Sequence, residues 1–503
     1  MTGGTVGWIV RLVAAGMVLV SFSLAFSGLP VPRGDDAFYK SPGAELALNG
    51  VLRSPSAIHY LPRVEEIYVA YPPLYPYAFA GWTKLAGFDW TAATLFSHVL
   101  HLAATLALVA AAARMLAAVP LERGWKAFVL LLLAVWHWSN LRFLDRQEDL
   151  ALLFFWLAWA WPRSEKSVWT VTAIEGLAVG MAGFVGPFPG MLAATAVALR
   201  HIWELKAVRA PWMIPARWAL AGAVAILPLG LWVLWMERSY PGLALEQFRA
   251  HVGRVPHVSA FKNPTALLNS FRYSPFHLPL LLLFGVMLFG APRSIWGKPS
   301  FGAPLVTAAL GLLTTVLWRA DSYVYLWASL ALALPCLGYL VAVRLAFAES
   351  TKDRAMLAAL AVLCTLPTLR DPVTLAVQAW QMPASERPPA LFAKIAKRVP
   401  PGEIVAITPR HWHLFQNRNP WRQAAAIGWL TAEQRREAKY VVLPYRYGGP
   451  AYRKALLDGY QLIEESPPEF SPWKLSFPEG ERGWDYEIWE RVDRFMADAA
   501  GRK

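Results

Sequence analysis

The chain has 503 residues, of which 56% are hydrophobic and only 16% charged, with 25 Trp and a formal net charge of +14. This balance excludes an ordinary soluble domain and points to a polytopic membrane protein. No DNA-reading motif accompanies the positive charge, so a nucleic-acid partner is not expected; basic loops between apolar spans account for much of it.

The first apolar run, Trp8 to Leu29, reads as a span. A cleaved signal peptide is the alternative, with Ala25-Phe26-Ser27 before Gly28 as a small-residue site. The apolar core exceeds the usual stretch of about 7 to 15 residues, however, and Arg11 is the one charged side chain on the amino-terminal side. Directly after the span, Gly34-Asp35-Asp36-Ala37-Phe38-Tyr39 places two adjacent carboxylates at its mouth, and the loop runs on to Tyr71-Pro72-Pro73-Leu74-Tyr75-Pro76-Tyr77. Carboxylates beside a bilayer serve an ion path, a proton relay or a substrate; the plainer reading is a solvated acidic loop. If the chain is extended there, neighbouring side chains point to opposite sides, so one of the two acids is expected to matter more. His59, Tyr60 and the segment Arg63 to Glu66 read as an amphipathic scaffold between the two motifs.

Ten further apolar runs follow: Ala92 to Ala118, Ala127 to Leu141, Leu150 to Trp161, Val171 to Gly186, Gly190 to Trp203, Trp218 to Met236, Leu278 to Gly290, Pro304 to Trp318, Val324 to Val343 and Ala355 to Leu369. About eleven transmembrane helices result if each one crosses. Several are shorter than the roughly 17 to 25 residues of a straight crossing, and a consecutive pair can form a re-entrant hairpin without changing the side of later loops. Lys and Arg gather in alternate short loops, including Arg114 to Lys126, Arg200 to Arg217 and Arg344 to Arg354. With those loops cytoplasmic, the long loops 30–91 and 237–277 and everything after about Leu369 lie outside.

On that outer side the segment Arg142 to Leu150 carries Asp145, Glu148 and Asp149. These acids suit a helix start or local pairing with Arg142 and Arg146; alternatively, clustered carboxylate oxygens attract a hard cation. Arg272, Lys262 and Arg319 stand on the same side. Each is either an interfacial anchor or a phosphate contact, and Arg is favoured for phosphate because its planar fork meets two oxygens at once. Glu175 is the main charge within a run. Cys336 and Cys364 lie inside runs, so the long outer segments hold no disulfide framework or thiolate metal site.

After about Pro383 charges become dense and spans stop, which divides the chain into a membrane domain, 1–382, and a small soluble α/β domain, 383–503. Glu403 to Thr408, Lys439 to Pro444, Tyr460 to Glu465 and Trp484 to Arg491 read as strands. Thr431 opens a helix with Gln434 in capping-box spacing, and Ala451 to Asp458 reads as a helix ending at Gly459. No glycine-rich phosphate loop is present, and His411 and His413, without a third ligand, read as ordinary domain residues.

The order of these parts resembles the GT-C superfamily of polyprenyl-phosphate-sugar-dependent glycosyltransferases. The parts are a first span, a long loop opening with Asp35-Asp36 and Tyr39, the Tyr71 to Pro76 run, and a terminal outer domain. The pattern is most similar to the protein O-mannosyltransferase and lipid A aminoarabinose transferase group. The resemblance implies a multi-pass protein of a bacterial inner membrane with its C-terminal domain extracytoplasmic. It also implies an enzyme that passes a hexosyl or pentosyl group from a lipid-phosphate donor to an acceptor hydroxyl with inversion. Relatives commonly have Asp-Glu where this chain has Asp35-Asp36, and the first acid is held to be the base, which carries that role to Asp35. Arg319 resembles the basic residue before the tyrosine-rich late span. Asp149, before Leu150-Ala151-Leu152, stands at the family's second acidic place. Tyr39, Asp149, Arg272 and Arg319 are the substrate-binding candidates, and a divalent cation on Asp36 and Asp149 is a candidate cofactor. The acceptor is open. The alternative function is a transporter or flippase of lipid-linked glycans, which would be expected to show internal symmetry and charges deep within spans.

Overall fold

Apolar periodicity becomes helix through most of the chain: α1 (Gly3–Phe26), α2 (Gly34–Asn49), α3 (Leu74–Ala86), α4 (Trp90–Ala117), α5 (Arg123–Trp138), α6 (Glu148–Ala160), α7 (Val168–Val185), α8 (Pro187–Glu204), α9 (Met213–Ser239), α10 (Leu243–Arg254), α11 (His277–Leu288), α12 (Pro299–Trp318), α13 (Tyr323–Ala346), α14 (Thr351–Thr365) and α15 (Arg370–Gln381). The computed structural model describes residues 3–32, 34–141, 144, 146–161, 168–204, 212–254, 265, 277–289, 295, 298–318, 323–424, 431–467 and 484–492.

Among the described residues seven helical stretches are long and apolar enough to cross a membrane: Trp8–Phe26, Trp90–Ala117, Val168–Val185, Met213–Ser239, Pro299–Trp318, Tyr325–Ala346 and Thr351–Gln381. The expected count of eleven is not confirmed. The runs Ala127 to Leu141, Leu150 to Trp161 and Leu278 to Gly290 form α5, α6 and α11, with 16, 13 and 12 residues, short of the roughly 20 a crossing takes. The fourth, Gly190 to Trp203, falls in α8, which carries Arg200 and Glu204.

The chain divides into two units. The membrane unit comprises residues 1–21, 98–239 and 254–374. Within it α13 is almost entirely buried and packs on α5, α11, α12 and α14. By contrast, α9 leaves Ile226, Leu227, Leu231 and Leu234 exposed, an apolar surface suited to lipid. α7 meets α9 through Gly176 and Gly180, where a Cβ would stand 2.5 Å from the carbonyl oxygens of Ala221 and Ala225. Small residues four apart on both helices let the backbones touch, which is how helices associate where no water drives them together. Glu175 is paired there: His201 Nε2 lies 3.0 Å and Arg200 Nη1 3.5 Å from its carboxylate.

The α/β unit comprises residues 22–97, 240–253 and 375–503, so the first long loop and most of α10 fold with the C-terminal region. Its sheet has the order β2-β1-β3-β5-β4, with β1 (Val405–Ile407), β2 (Trp421–Gln423), β3 (Tyr440–Leu443), β4 (Tyr460–Ser466) and β5 (Tyr486–Arg491). β1 pairs in parallel with β2 and β3, and β5 pairs antiparallel with β3 and β4. The capping box forms as its spacing requires: Gln434 N donates to Thr431 Oγ1 at 3.2 Å and Thr431 N to Gln434 Oε1 at 2.9 Å. Gly459, at φ +83, follows the helix Pro450–Leu457 in the left-handed conformation glycine adopts without a Cβ clash. β2 and the helices Pro388–Arg398 and Trp412–Phe415 have no counterpart in the sequence reading. His59, in the segment read as an amphipathic scaffold, has its Nε2 2.9 Å from the Glu437 carboxylate.

Candidate active site

Gly34–Asn49 is helical, so Asp35 and Asp36 occupy the first turn of α2, where carboxylates suit the positive end of the helix dipole. This corrects the expectation of an extended segment. Neighbours on a helix differ by about 100° rather than 180°, and each acid shares its face with residues three and four positions on. For Asp35 those are Phe38 and Tyr39; for Asp36 the fourth is Lys40.

The two faces enter different surroundings. Asp36 is buried, with Lys40 ion-paired to its Oδ1 and Trp412 Nε1 donating to its Oδ2 at 2.8 Å. His413 Nε2 stands 3.5 Å from the same oxygen. Lys40 also donates to the Ala93 carbonyl at 3.2 Å and lies over the Phe79 ring. Burial alone would raise the Asp36 carboxyl, but the Lys40 ammonium and His413 outweigh it and leave it lowered to about 2. Burial lowers His413 against the pull of Asp36. Further along α2, Ser41 Oγ donates to Gln416 Oε1 at 2.8 Å, and Gln416 Nε2 donates to Glu45 Oε1 at 2.7 Å.

Asp35 is half-buried. Phe38 and Tyr39, on its face, pack edge-on against Tyr71 with ring centroids 5.9 and 5.7 Å apart, and Phe38 also meets Tyr68 at 5.4 Å. Tyr39 itself is buried and meets Tyr75 at 6.1 Å. Burial pushes the Tyr68 hydroxyl well above its ordinary value, and Tyr71, Tyr60 and the Asp35 carboxylate push it further, which puts Asp35 within electrostatic reach of this tyrosine cluster. α2 therefore carries one acid neutralised by a buried cation and a second, half-buried acid whose helix face also bears Phe38 and Tyr39.

The other acidic candidate belongs to the membrane unit. Asp149, in the first turn of α6, is buried, with His101 Nδ1 at 2.7 Å from its Oδ2. The opposite ring nitrogen, Nε2, lies 3.1 Å from the Trp138 carbonyl, an acceptor, so it carries a proton. One further proton is therefore shared between His101 Nδ1 and Asp149. His137 stacks on His101 at 4.9 Å and bonds Thr105 at 2.8 Å. Glu148 pairs with Arg146, as the local ion-pair reading expects. Asp145, Lys262, Arg272 and Arg319 lie outside the described residues. No group of three or more His, Cys, Asp or Glu among the described residues is placed to hold a metal ion. A divalent cation at Asp36 would have to displace Lys40 and Trp412, and one at Asp149 would have to displace His101.

The sequence reading missed Lys40 and Trp412 and read His413 as an ordinary domain residue. The Asp36-to-Lys40 spacing of four is a helix-face pair visible in the sequence. Nothing local signals the contact of His413 with Asp36, which joins residues far apart in the chain.

No protein-family model matches the chain, and no curated protein matches it in sequence. Among solved structures it is similar to ArnT from Cupriavidus metallidurans bound to undecaprenyl phosphate, with a TM-score of 0.61 and 16% identity over 97% of this chain and 98% of that one. Weaker likenesses are to the mycobacterial arabinofuranosyltransferase AftD and the Archaeoglobus fulgidus oligosaccharyltransferase. AftD gives a TM-score of 0.49 at 16% identity, over 96% of this chain and 40% of that one. The oligosaccharyltransferase gives 0.44 at 13%, over 86% and 68%. The near-complete mutual coverage with ArnT, together with the apolar helices and the terminal α/β sheet, establishes that this chain is a membrane protein with the GT-C fold.

Proposed function

We propose that the protein is an integral membrane glycosyltransferase that moves a sugar from a polyprenyl-phosphate carrier to an acceptor hydroxyl on the extracytoplasmic side, with Asp35 as the general base. The observation that carries this reading is the division of labour on α2. Asp36 is committed to Lys40 and Trp412, while Asp35 is half-buried beside a cluster of tyrosines on the other face. The fold likeness to a protein whose structure holds undecaprenyl phosphate supports the donor class.

An alcohol is a poor nucleophile until its proton is removed as it attacks. The Asp35 carboxylate takes that proton, the acceptor oxygen bonds to the anomeric carbon, and the bond from that carbon to the phosphate oxygen breaks, releasing the lipid phosphate with its electron pair. A single displacement inverts the anomeric centre. Negative charge grows on the departing phosphate, so a cation is needed there, and Arg319 and Arg272 are the proposed donors. Tyr39 backs the Asp35 face, and Asp149, held by His101, remains a proposed substrate contact.

The test has two arms. Mass spectrometry of lipid extracts from cells with and without the gene should show one polyprenyl-phosphate monosaccharide accumulating when the gene is absent, and a matching sugar missing from an envelope glycan. Purified Asp35→Asn should bind that lipid and fail to transfer its sugar. No change in any lipid-linked sugar, or normal transfer by Asp35→Asn, would overturn the reading.

A further inference from the structure

α10 docks on the first long loop through two side chains one turn apart. Gln247, fully buried, accepts from Val69 N at 2.8 Å and donates to the carbonyls of Pro62 and Ile67 at 2.8 and 2.9 Å. Those three bonds fix the helix. His251, four residues on, stands between two tyrosine hydroxyls: Tyr60 Oη is 2.9 Å from Nδ1 and Tyr71 Oη is 2.8 Å from Nε2. Its ring is edge-on to Tyr71 at 4.9 Å and lies 6.1 Å from Phe38. Phe38 and Tyr39, which pack on Tyr71, are the two residues that share the face of Asp35.

A neutral imidazole has one N–H and one lone pair. With the ring neutral, the two tyrosines cannot play the same part: one hydroxyl donates to the ring, the other accepts from it, and the accepting one keeps its own proton for another partner. The three residues form a chain with a direction. Docking alone does not call for that arrangement, because Gln247 already supplies the backbone bonds and a phenyl ring would fill the same space.

We propose that His251 is a positioning residue that sets, through this chain, the direction of the Tyr71 hydroxyl on the face of α2 bearing Asp35, so that the hydroxyl orders the acceptor alcohol for deprotonation. The proposal rests on the reading of Asp35 as the base.

The test uses the full chain in nanodiscs, with polyprenyl-phosphate lipids extracted from cells lacking the gene as donor and the envelope fraction of the same cells as acceptor. Undecaprenyl phosphate serves as the binding probe. His251→Phe keeps a ring and removes both hydrogen bonds; turnover should fall roughly tenfold to a hundredfold, as misorientation of a reacting group does, with probe binding and melting midpoint unchanged. His251→Gln, whose amide carries a donor and an acceptor, should recover most of the loss. Tyr71→Phe should match His251→Phe, and the double variant should be no worse than either, because both break one chain. Wild-type turnover in His251→Phe, no recovery in His251→Gln, or losses that multiply in the double variant would each overturn the proposal. If His251→Phe does not fold, Tyr71→Phe decides: wild-type turnover there overturns the proposal, and a loss of the stated size supports it. Asp35→Asn measured alongside separates the two readings. Normal transfer by Asp35→Asn with loss in His251→Phe removes the base assignment alone, and the reverse removes the chain alone.

Discussion

On α2 the azimuth of Asp35 falls between Phe38 and Tyr39, whose rings pack on Tyr71, whereas Asp36, about 100° around the helix, is buried against Lys40, Trp412 and His413. The same functional group in adjacent positions thus meets two electrostatic situations. A carboxylate with a buried ammonium and an indole N–H on its oxygens is stabilised as the anion, and the low value of about 2 expresses that. Such a group accepts a proton poorly. The difference teaches that adjacent acids need not act as one unit: Asp36 anchors the helix through Lys40 and Trp412, while Asp35 lies on another face.

The sharpest way to break this comparison is to remove the charge of Asp36. Asp36→Asn leaves Lys40 buried without its counter-charge, and an uncompensated buried ion costs on the order of 3 to 5 kcal/mol. The melting midpoint of the α/β unit should drop by several degrees or more, a change that differential scanning calorimetry in nanodiscs detects. An unchanged midpoint would return Asp36 to the list of candidate bases.

Asp35→Asn should do the opposite: turnover falls roughly a hundredfold or more, equivalent to about 2.7 kcal/mol in the barrier, while the midpoint stays within error. Paired kinetic and melting curves on both variants give the comparison directly. Equal stability losses in the two would show that both acids are structural.

Acid offers a third probe. The Asp36 carboxyl is lowered from its ordinary value of 3.8 to about 2. A depressed carboxylate contributes stability above its unfolded value that disappears as pH falls through its folded value. Its contribution of roughly 2 kcal/mol should therefore be complete above about pH 4 and lost between about pH 4 and 2. Subtracting the Asp36→Asn melting profile from wild type across that interval isolates it, and a difference that persists at pH 2 would contradict the ion pair.

Two smaller effects grade the contacts from the C-terminal region. Trp412→Phe removes the indole donor to a charged acceptor and should cost about 1.5 to 3 kcal/mol. Ser41→Ala removes a neutral bond to Gln416 and should cost about 0.5 to 1.5 kcal/mol, because Gln416 keeps its bond to Glu45. Urea midpoints of the two variants rank them; the reverse order would mean that Trp412 packs beside Asp36 without stabilising its charge.

Elements whose signals are local were legible in the chain. Thr431 and Gln434 cap each other across three residues, Gly459 ends its helix, and four of the five strands show as short β-branched or aromatic runs. The acidic pair, the tyrosine-proline run and the apolar periodicity were likewise readable, and together they suggested the GT-C fold that the structural likeness bears out. Span number is not confirmed: among the described residues α5, α6 and α11 have 16, 13 and 12 residues, and hydropathy alone does not separate such helices from crossing ones. β2, three residues long, has too little pattern to register.

The roles within the acidic pair lay beyond the sequence for a different reason. Whether Asp35 and Asp36 differ depends on helical rather than extended backbone at position 34 onward, and then on which distant groups reach each face. Lys40 is near in sequence, but Trp412, His413, Gln247 and His251 arrive through the fold of the α/β unit across separations that no periodicity encodes. The sequence by itself determined the inventory: apolar helices, two adjacent carboxylates, tyrosines and a terminal sheet. Tertiary structure alone decided which carboxylate is buried and neutralised, because charge state follows burial and neighbours in space rather than neighbours in the chain.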